Sequence, residues 1–98
     1  MSGGAILDRL KRLEGSLRAA GVQALYLFGS TARAEATDSS DVDLLFEADP
    51  TRRFSLIDQA QLQVDLSAVL ERPVDFIERR SLAAHVRERA EAEMVRVF

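Results

Sequence analysis

Apolar side chains near the N-terminus recur at helical spacing. Ile6, Leu10, Leu13 and Leu17 fall on one face, and Asp8, Arg9, Arg12, Glu14 and Arg18 fall on the other. The pattern predicts a helix over about 5–20, with Gly21 available to cap its end. Residues 22–28 (VQALYLF) are β-favouring and continuously apolar from Leu25, which suits a strand buried on both faces. Gly29 and Ser30 end that strand, a short helical stretch follows near 31–36, and 37–40 form a polar loop. Residues 41–48 (DVDLLFEA) read as a second strand. After a loop at 49–53, Ser55 and Asp58 stand at capping-box spacing before a helix running to about Leu70. Pro73 breaks that helix, residues 74–77 (VDFI) form a short third strand, and Ser81 is expected to cap a final helix through about Glu93. The resulting order is α-β-α-β-α-β-α. It describes a single α/β (α+β) domain over 1–98, with a small mixed sheet and helices packed against it.

Composition narrows the function classes. Ninety-eight residues suit one domain, and 47% apolar residues with only two prolines indicate a globular chain. The absence of cysteine excludes a disulfide framework, a thiolate metal site and a thiol nucleophile. Thirteen basic against sixteen acidic residues argue against general, charge-driven nucleic-acid binding. No apolar run approaches the roughly 20 residues of a membrane span. No basic-then-apolar leader opens the chain. The expectation is a soluble, cytoplasmic protein with no membrane partner.

The chemistry lies in acidic residues placed where strands are normally apolar. Asp41 and Asp43 are two residues apart, so a strand points both to one face while Val42, Leu44 and Phe46 anchor the other. Two carboxylates side by side repel unless a cation lies between them, and hard oxygen donors of this kind suit Mg²⁺ or Mn²⁺. Asp75 is a third carboxylate within a short apolar strand, where an unpaired buried charge would be costly. Upstream, Gly29 permits a tight turn and Ser30 opens a short helix, an arrangement whose N–H groups attract phosphate. A phosphate cradle beside paired aspartates points to metal-assisted nucleotidyl transfer.

Gly29-Ser30, ten residues, then Asp41-Val42-Asp43 resembles the GS-x10-DxD signature of the DNA polymerase beta nucleotidyltransferase superfamily. The stretch GSTARAEATDSSDVDLLFE is similar to the minimal nucleotidyltransferase (MNT) domain, and RPVDFIE resembles that family's third-carboxylate strand. The likeness covers nearly the whole chain. One departure is Ala34, where many members carry glycine. The resemblance implies that Gly29 and Ser30 hold the triphosphate of ATP, with Arg33 offsetting its charge. It also implies that Asp41, Asp43 and Asp75 bind two Mg²⁺ ions, Asp75 in addition orienting or deprotonating the attacking hydroxyl. Superfamily members that modify antibiotics or nucleic acids carry a further domain for the acceptor, and this length leaves no room for one. The MNT resemblance therefore implies an acceptor on another chain: a tyrosine of a helical HEPN-family toxin, with this protein as the antitoxin. Two other readings stand beside it. One is a binding module that neutralises its partner by contact, and the other is a small-molecule nucleotidyltransferase with its acceptor site across a dimer.

Other features have plainer readings. Neither Asp38 nor Asp41 starts a calcium loop, because the glycine at the sixth position and the glutamate at the twelfth are missing. Residues 38–40 read as a capped turn, and Ser30 has no triad partners. His85 sits at the edge of the stripe Leu82, Val86, Ala90, as a boundary residue. Arg33 and Glu35 suit either a solvated helix face or nucleotide contact. The Arg52-Arg53 and Arg79-Arg80 pairs read as solvated loops. The helix after Ser55 carries two apolar faces. Ile57, Ala60, Val64 and Ala68 are expected to cover the sheet, leaving Leu62, Leu66, Val69 and Leu70 for another helix of the chain or for a homo- or hetero-oligomer.

Overall fold

The computed structural model describes residues 3–29, 32 and 41–98. The first amphipathic segment folds as two helices, α1 (Gly3–Arg12) and α2 (Glu14–Ala19), with the break at Leu13. Gly15, with its low helix propensity, sits in the turn just after the break. Ile6, Leu10 and Leu17 are buried as the spacing predicts, and Gly21 leaves the helix with φ +108°. The guanidinium of Arg52 donates to the carbonyls of Arg18 and Ala19 at 2.9 and 2.7 Å, satisfying the end of α2 with a cation where the helix dipole favours one.

Strands β1 (Val22–Phe28) and β2 (Val42–Ala48) pair antiparallel, and β2 pairs in parallel with β3 (Val74–Glu78). A fourth strand, β4 (Val95–Arg96), adds to the far side of β1 and completes the order β3-β2-β1-β4. The sheet is mixed, as expected, with one strand more than the sequence pattern predicts. Helix α3 (Leu56–Leu70) provides the crossover that a parallel pair requires. The expected capping box forms at its start: Ser55 Oγ accepts from the Asp58 N–H, and Asp58 accepts from the Ser55 N–H.

Two apolar clusters cover the two faces of the sheet. Val22, Leu25, Leu27, Val42, Leu44, Phe46, Val74 and Phe76 pack with α1, α2 and α3, while Ala24, Tyr26 and Leu45 pack with Ala90 on α4 (Ala84–Glu93). The Phe46 and Phe76 rings stack at 4.1 Å, and Val42 N–H donates to Pro73 O at 2.9 Å. These contacts pin the β2/β3 register, because a one-residue slip would turn every core side chain outward.

Two expectations are reversed. On α3, Leu66 and Leu70 are buried and Leu62 is partly buried against the core, so Leu62, Leu66 and Leu70 are not the free face. The face assigned to the sheet, Ile57, Ala60, Val64 and Ala68, is the exposed one. Leucines bury more apolar area than alanine and valine, which favours the leucine stripe inside. Ser81 also does not cap the last helix. It ends a 3₁₀ turn (Arg79–Ser81), its hydroxyl donates to Glu78 O at 2.8 Å, and α4 begins three residues later. Among the described residues no helix is long and apolar enough to cross a membrane.

Candidate active site

The acidic corner is built by strand register. Asp43 stands opposite Phe28 across the antiparallel pair and opposite Asp75 across the parallel pair. Side chains on one rung share a face. Asp43 and Asp75 therefore stand beside each other on the α4 face, away from the buried stripe of Val42, Leu44 and Phe46 that anchors β2. Asp41 lies just before β2, exposed and two residues from Asp43. Asp75 is likewise exposed on the edge strand, so the burial penalty suggested by its apolar neighbours does not arise. Among the described residues, no three His, Cys, Asp or Glu side chains close into a metal cage. The rung joins two of the three carboxylates, and Asp41 stands at its approach.

Gly29 completes the corner. Its φ of +72° favours glycine, and a Cβ at this position would lie 2.5 Å from Asp43 Oδ2. Any side chain here would displace the Asp43 carboxylate, which gives the glycine a steric reason as well as a conformational one. Ser30, Arg33 and the short helix expected near 31–36 lie outside the described residues.

Beside Gly29 runs a cleft of about 270 Å³ lined by Phe28, Gly29, Val86, Arg89, Ala90 and Glu93. Its α4 side supplies a cation and a carboxylate that sequence reasoning missed. Val86, Arg89, Ala90 and Glu93 share a helix face by their i, i+3, i+4 and i+7 spacing. That signal was legible, but only the fold shows that the face overlooks the end of β1. His85 is exposed, as expected.

At the other end of the same face, Arg79 departs from the solvated-loop reading. Its guanidinium lies 3.1 Å from Glu47 Oε1 and 3.1 Å from Glu91 Oε1, and it donates to the Tyr26 hydroxyl at 3.2 Å. Burial opposes its charge, but the Glu91 hydrogen bond and the surrounding Glu91, Tyr26 and Glu47 charges outweigh it and raise its pKa. Arg80 fits the expected solvated reading better, pairing with Glu78 at 3.2 Å while mostly exposed.

The family model described as "Nucleotidyltransferase domain" matches residues 5–97. The chain belongs to the nucleotidyltransferase domain family. Two candidate protein adenylyltransferases of Methanocaldococcus jannaschii are 35% and 32% identical to it, covering 80% and 78% of this chain and 82% and 77% of their own lengths. Among solved structures, a candidate minimal nucleotidyltransferase superposes with TM-score 0.82 at 32% identity, over 97% of this chain and 95% of its own. A tri-AMPylated Shewanella oneidensis HEPN toxin in complex with its MNT antitoxin matches with TM-score 0.70 at 20% identity, over 98% of this chain and 71% of that one, a likeness of fold.

Nucleotidyltransferases of this family use a nucleoside triphosphate and a divalent metal, and the donor set here suits that use. Carboxylate oxygens are hard ligands, and Mg²⁺ typically takes one or two of them and completes its shell with water and phosphate. The Asp43–Asp75 rung meets that requirement without a closed cage.

Proposed function

We propose that this protein is a Mg²⁺-dependent nucleotidyltransferase that moves AMP from ATP to a tyrosine hydroxyl on a HEPN-family toxin, and so acts as the antitoxin of a pair. The observation that carries the chemistry is the Asp43–Asp75 rung set against Gly29 at the mouth of a cleft. The protein acceptor is supported by relatives named for protein adenylyl transfer. The toxin partner is supported by toxin–antitoxin complexes sharing the fold.

In this reading Asp41, Asp43 and Asp75 hold the metal, and Gly29 and Ser30 receive the triphosphate, with Arg33 offsetting its charge. Bound there, Mg²⁺ would supply charge stabilisation for the attacking and leaving oxygens. Asp75, exposed at the sheet edge, orients the acceptor hydroxyl and takes its proton. The hydroxyl oxygen forms a bond to the α-phosphorus, the α–β anhydride bond breaks, and pyrophosphate leaves with its electron pair. Gly29 keeps the backbone close to the phosphates because no Cβ intervenes.

Intact-mass spectrometry of the chain co-expressed with the protein encoded beside it tests this, comparing wild type with Asp43→Asn. The expected result is an AMP adduct on the partner with wild type, reduced at least a hundredfold by the substitution, the scale typical of losing a transition-state charge contact. A complex without adduct in either sample would replace transfer with neutralisation by contact.

A further inference from the structure

Helix α3 turns one apolar stripe inward and another outward. The outward stripe is Leu56, Ala60, Val64 and Ala68, flanked by Ile57. Leu56, Ile57 and Val64 are 83%, 81% and 64% exposed, among the largest exposures of any apolar side chain described. A solvated helix normally shows charge on its outer face. Here the ionisable residues of α3, Asp58 and Asp65, lie more than a quarter-turn from the centre of the stripe at 100° per residue. The stripe is bordered instead by Gln61, Gln63 and Ser67.

We propose that a second copy of this chain covers the stripe, the two α3 helices packing antiparallel about a two-fold axis midway between Ala60 and Val64. The sequence of the stripe is complementary to its own reverse. Such an axis sets Leu56 against Ala68 and Ala60 against Val64, a large side chain opposite a small one at every step. Small residues in those places let two helices approach towards the short end of the usual 8–10 Å spacing. The isologous contact brings no like charges together, because neither aspartate lies on the seam. Gln61 and Gln63 lie on opposite borders of the stripe, and the axis sets each near its own copy, where the amides can exchange hydrogen bonds. A strongly charged partner would find no complementary charge along this line. A helix of 15 residues spans about 22 Å, so the seam is short and the dimer dissociates on dilution. The stripe lies in the helix layer opposite Asp43 and the Gly29 cleft, so pairing leaves the proposed active site open and does not depend on its chemistry.

Sedimentation velocity of the purified chain over a wide concentration range tests the proposal. The expected result is a concentration-dependent shift from 10.9 kDa to twice that mass. Val64→Glu, at an exposed position, should hold the protein at monomer mass with an unchanged far-ultraviolet circular dichroism spectrum. The chain has no cysteine, so engineered thiols report the register. An equimolar mixture of Ala60→Cys and Val64→Cys proteins should cross-link on mild oxidation several-fold more than either alone. A wild-type monomer at every concentration would overturn the proposal, as would a dimer that Val64→Glu leaves intact or a cross-link without the 60/64 preference. A chain that is monomeric alone and covers Val64 only when a co-expressed neighbour binds would also overturn it, and would give the face to that neighbour.

Discussion

The β2/β3 strand pair carries charge at both ends of one face, and the two ends are built to opposite rules. At one end Asp43 stands beside Asp75, acid against acid. Four residues further along each strand direction, Glu47 meets Arg79, and the guanidinium also holds Glu91 and the Tyr26 hydroxyl. Spacing and face are shared, with Arg79 one residue past β3 at the start of the 3₁₀ turn, so the contrast between the ends lies chiefly in side-chain chemistry. Glu47 and Glu91 converge on one guanidinium. The Asp43–Asp75 rung places two carboxylates side by side beside a glycine and a cleft, and like charges so placed repel each other, a repulsion that a cation between them relieves. That contrast is the physical reason to read one end as site and the other as scaffold.

The contrast is broken most strongly by Arg79→Met. The substitution keeps an unbranched stem but takes the cation from Glu47, leaves Glu91 only the longer Arg87 contact at 3.7 Å, and removes a hydrogen bond from Tyr26. Arg79 is only 22% exposed, so solvent compensates little. Losing hydrogen bonds to charged groups at such a site should lower stability by about 2–3 kcal/mol. Urea denaturation should show a lower midpoint with an unchanged slope. Adenylyl transfer, measured below the new midpoint, should stay near the wild-type level, because Arg79 lies at the structural end.

A smaller pair of substitutions sharpens the same comparison through sign. Asp75→Asn removes one of two like charges on a rung and should stabilise the metal-free protein, whereas Glu47→Gln weakens an ion pair and should destabilise it. Each change should fall within about 0.2–1 kcal/mol, the scale of cross-strand pairs. Thermal melts in chelator at low salt should place the variants on opposite sides of wild type. Adding Mg²⁺ should raise the wild-type midpoint more than that of Asp75→Asn. A shared sign in chelator would remove the distinction between the two ends.

The acidic end was legible in the sequence because its logic is local. Asp41 and Asp43 alternate with Val42 and Leu44, and a period of two states which face each occupies. Gly29 announced a turn before the structure showed the Asp43 oxygen lying where a Cβ would stand. The structural end was not legible. Arg79-Arg80 looks like any solvated pair, and its partners Glu47 and Glu91 are 32 and 12 residues distant. Only strand register and the return of α4 bring them together. Helix α3 failed for another reason: both stripes are apolar, so periodicity found the faces without ranking them. Their volumes held the missing signal, since Leu62, Leu66 and Leu70 fill a core that Ala60 and Ala68 cannot. Strand β4 escaped notice because two residues carry no periodicity, and its pairing with Tyr26 and Leu27 is a tertiary fact.

The smallest effect concerns a third way of holding a carboxylate, by neither a cation nor a metal but by hydrogen bonds at a helix start. Asp58 accepts from the Ser55 N–H and hydroxyl at 2.9 and 3.0 Å. The backbone bond first, then the side-chain bond, hold its pKa below the ordinary aspartate value against a weak opposing effect of burial. A depressed folded-state pKa means that this contribution is fully present above the unfolded value near 3.9 and is lost as pH falls through the lower folded one. Asp49, held low by the Thr51 hydroxyl and N–H, acts with the same sign in the same window. Asp58→Asn should therefore lie below wild type at neutral pH and converge with it on acidification, while the residual slope from Asp49 persists. Urea midpoints measured from pH 7 down to about pH 3 would check this. A gap that stays constant with pH would mean that the bonds act by geometry alone, without the charge.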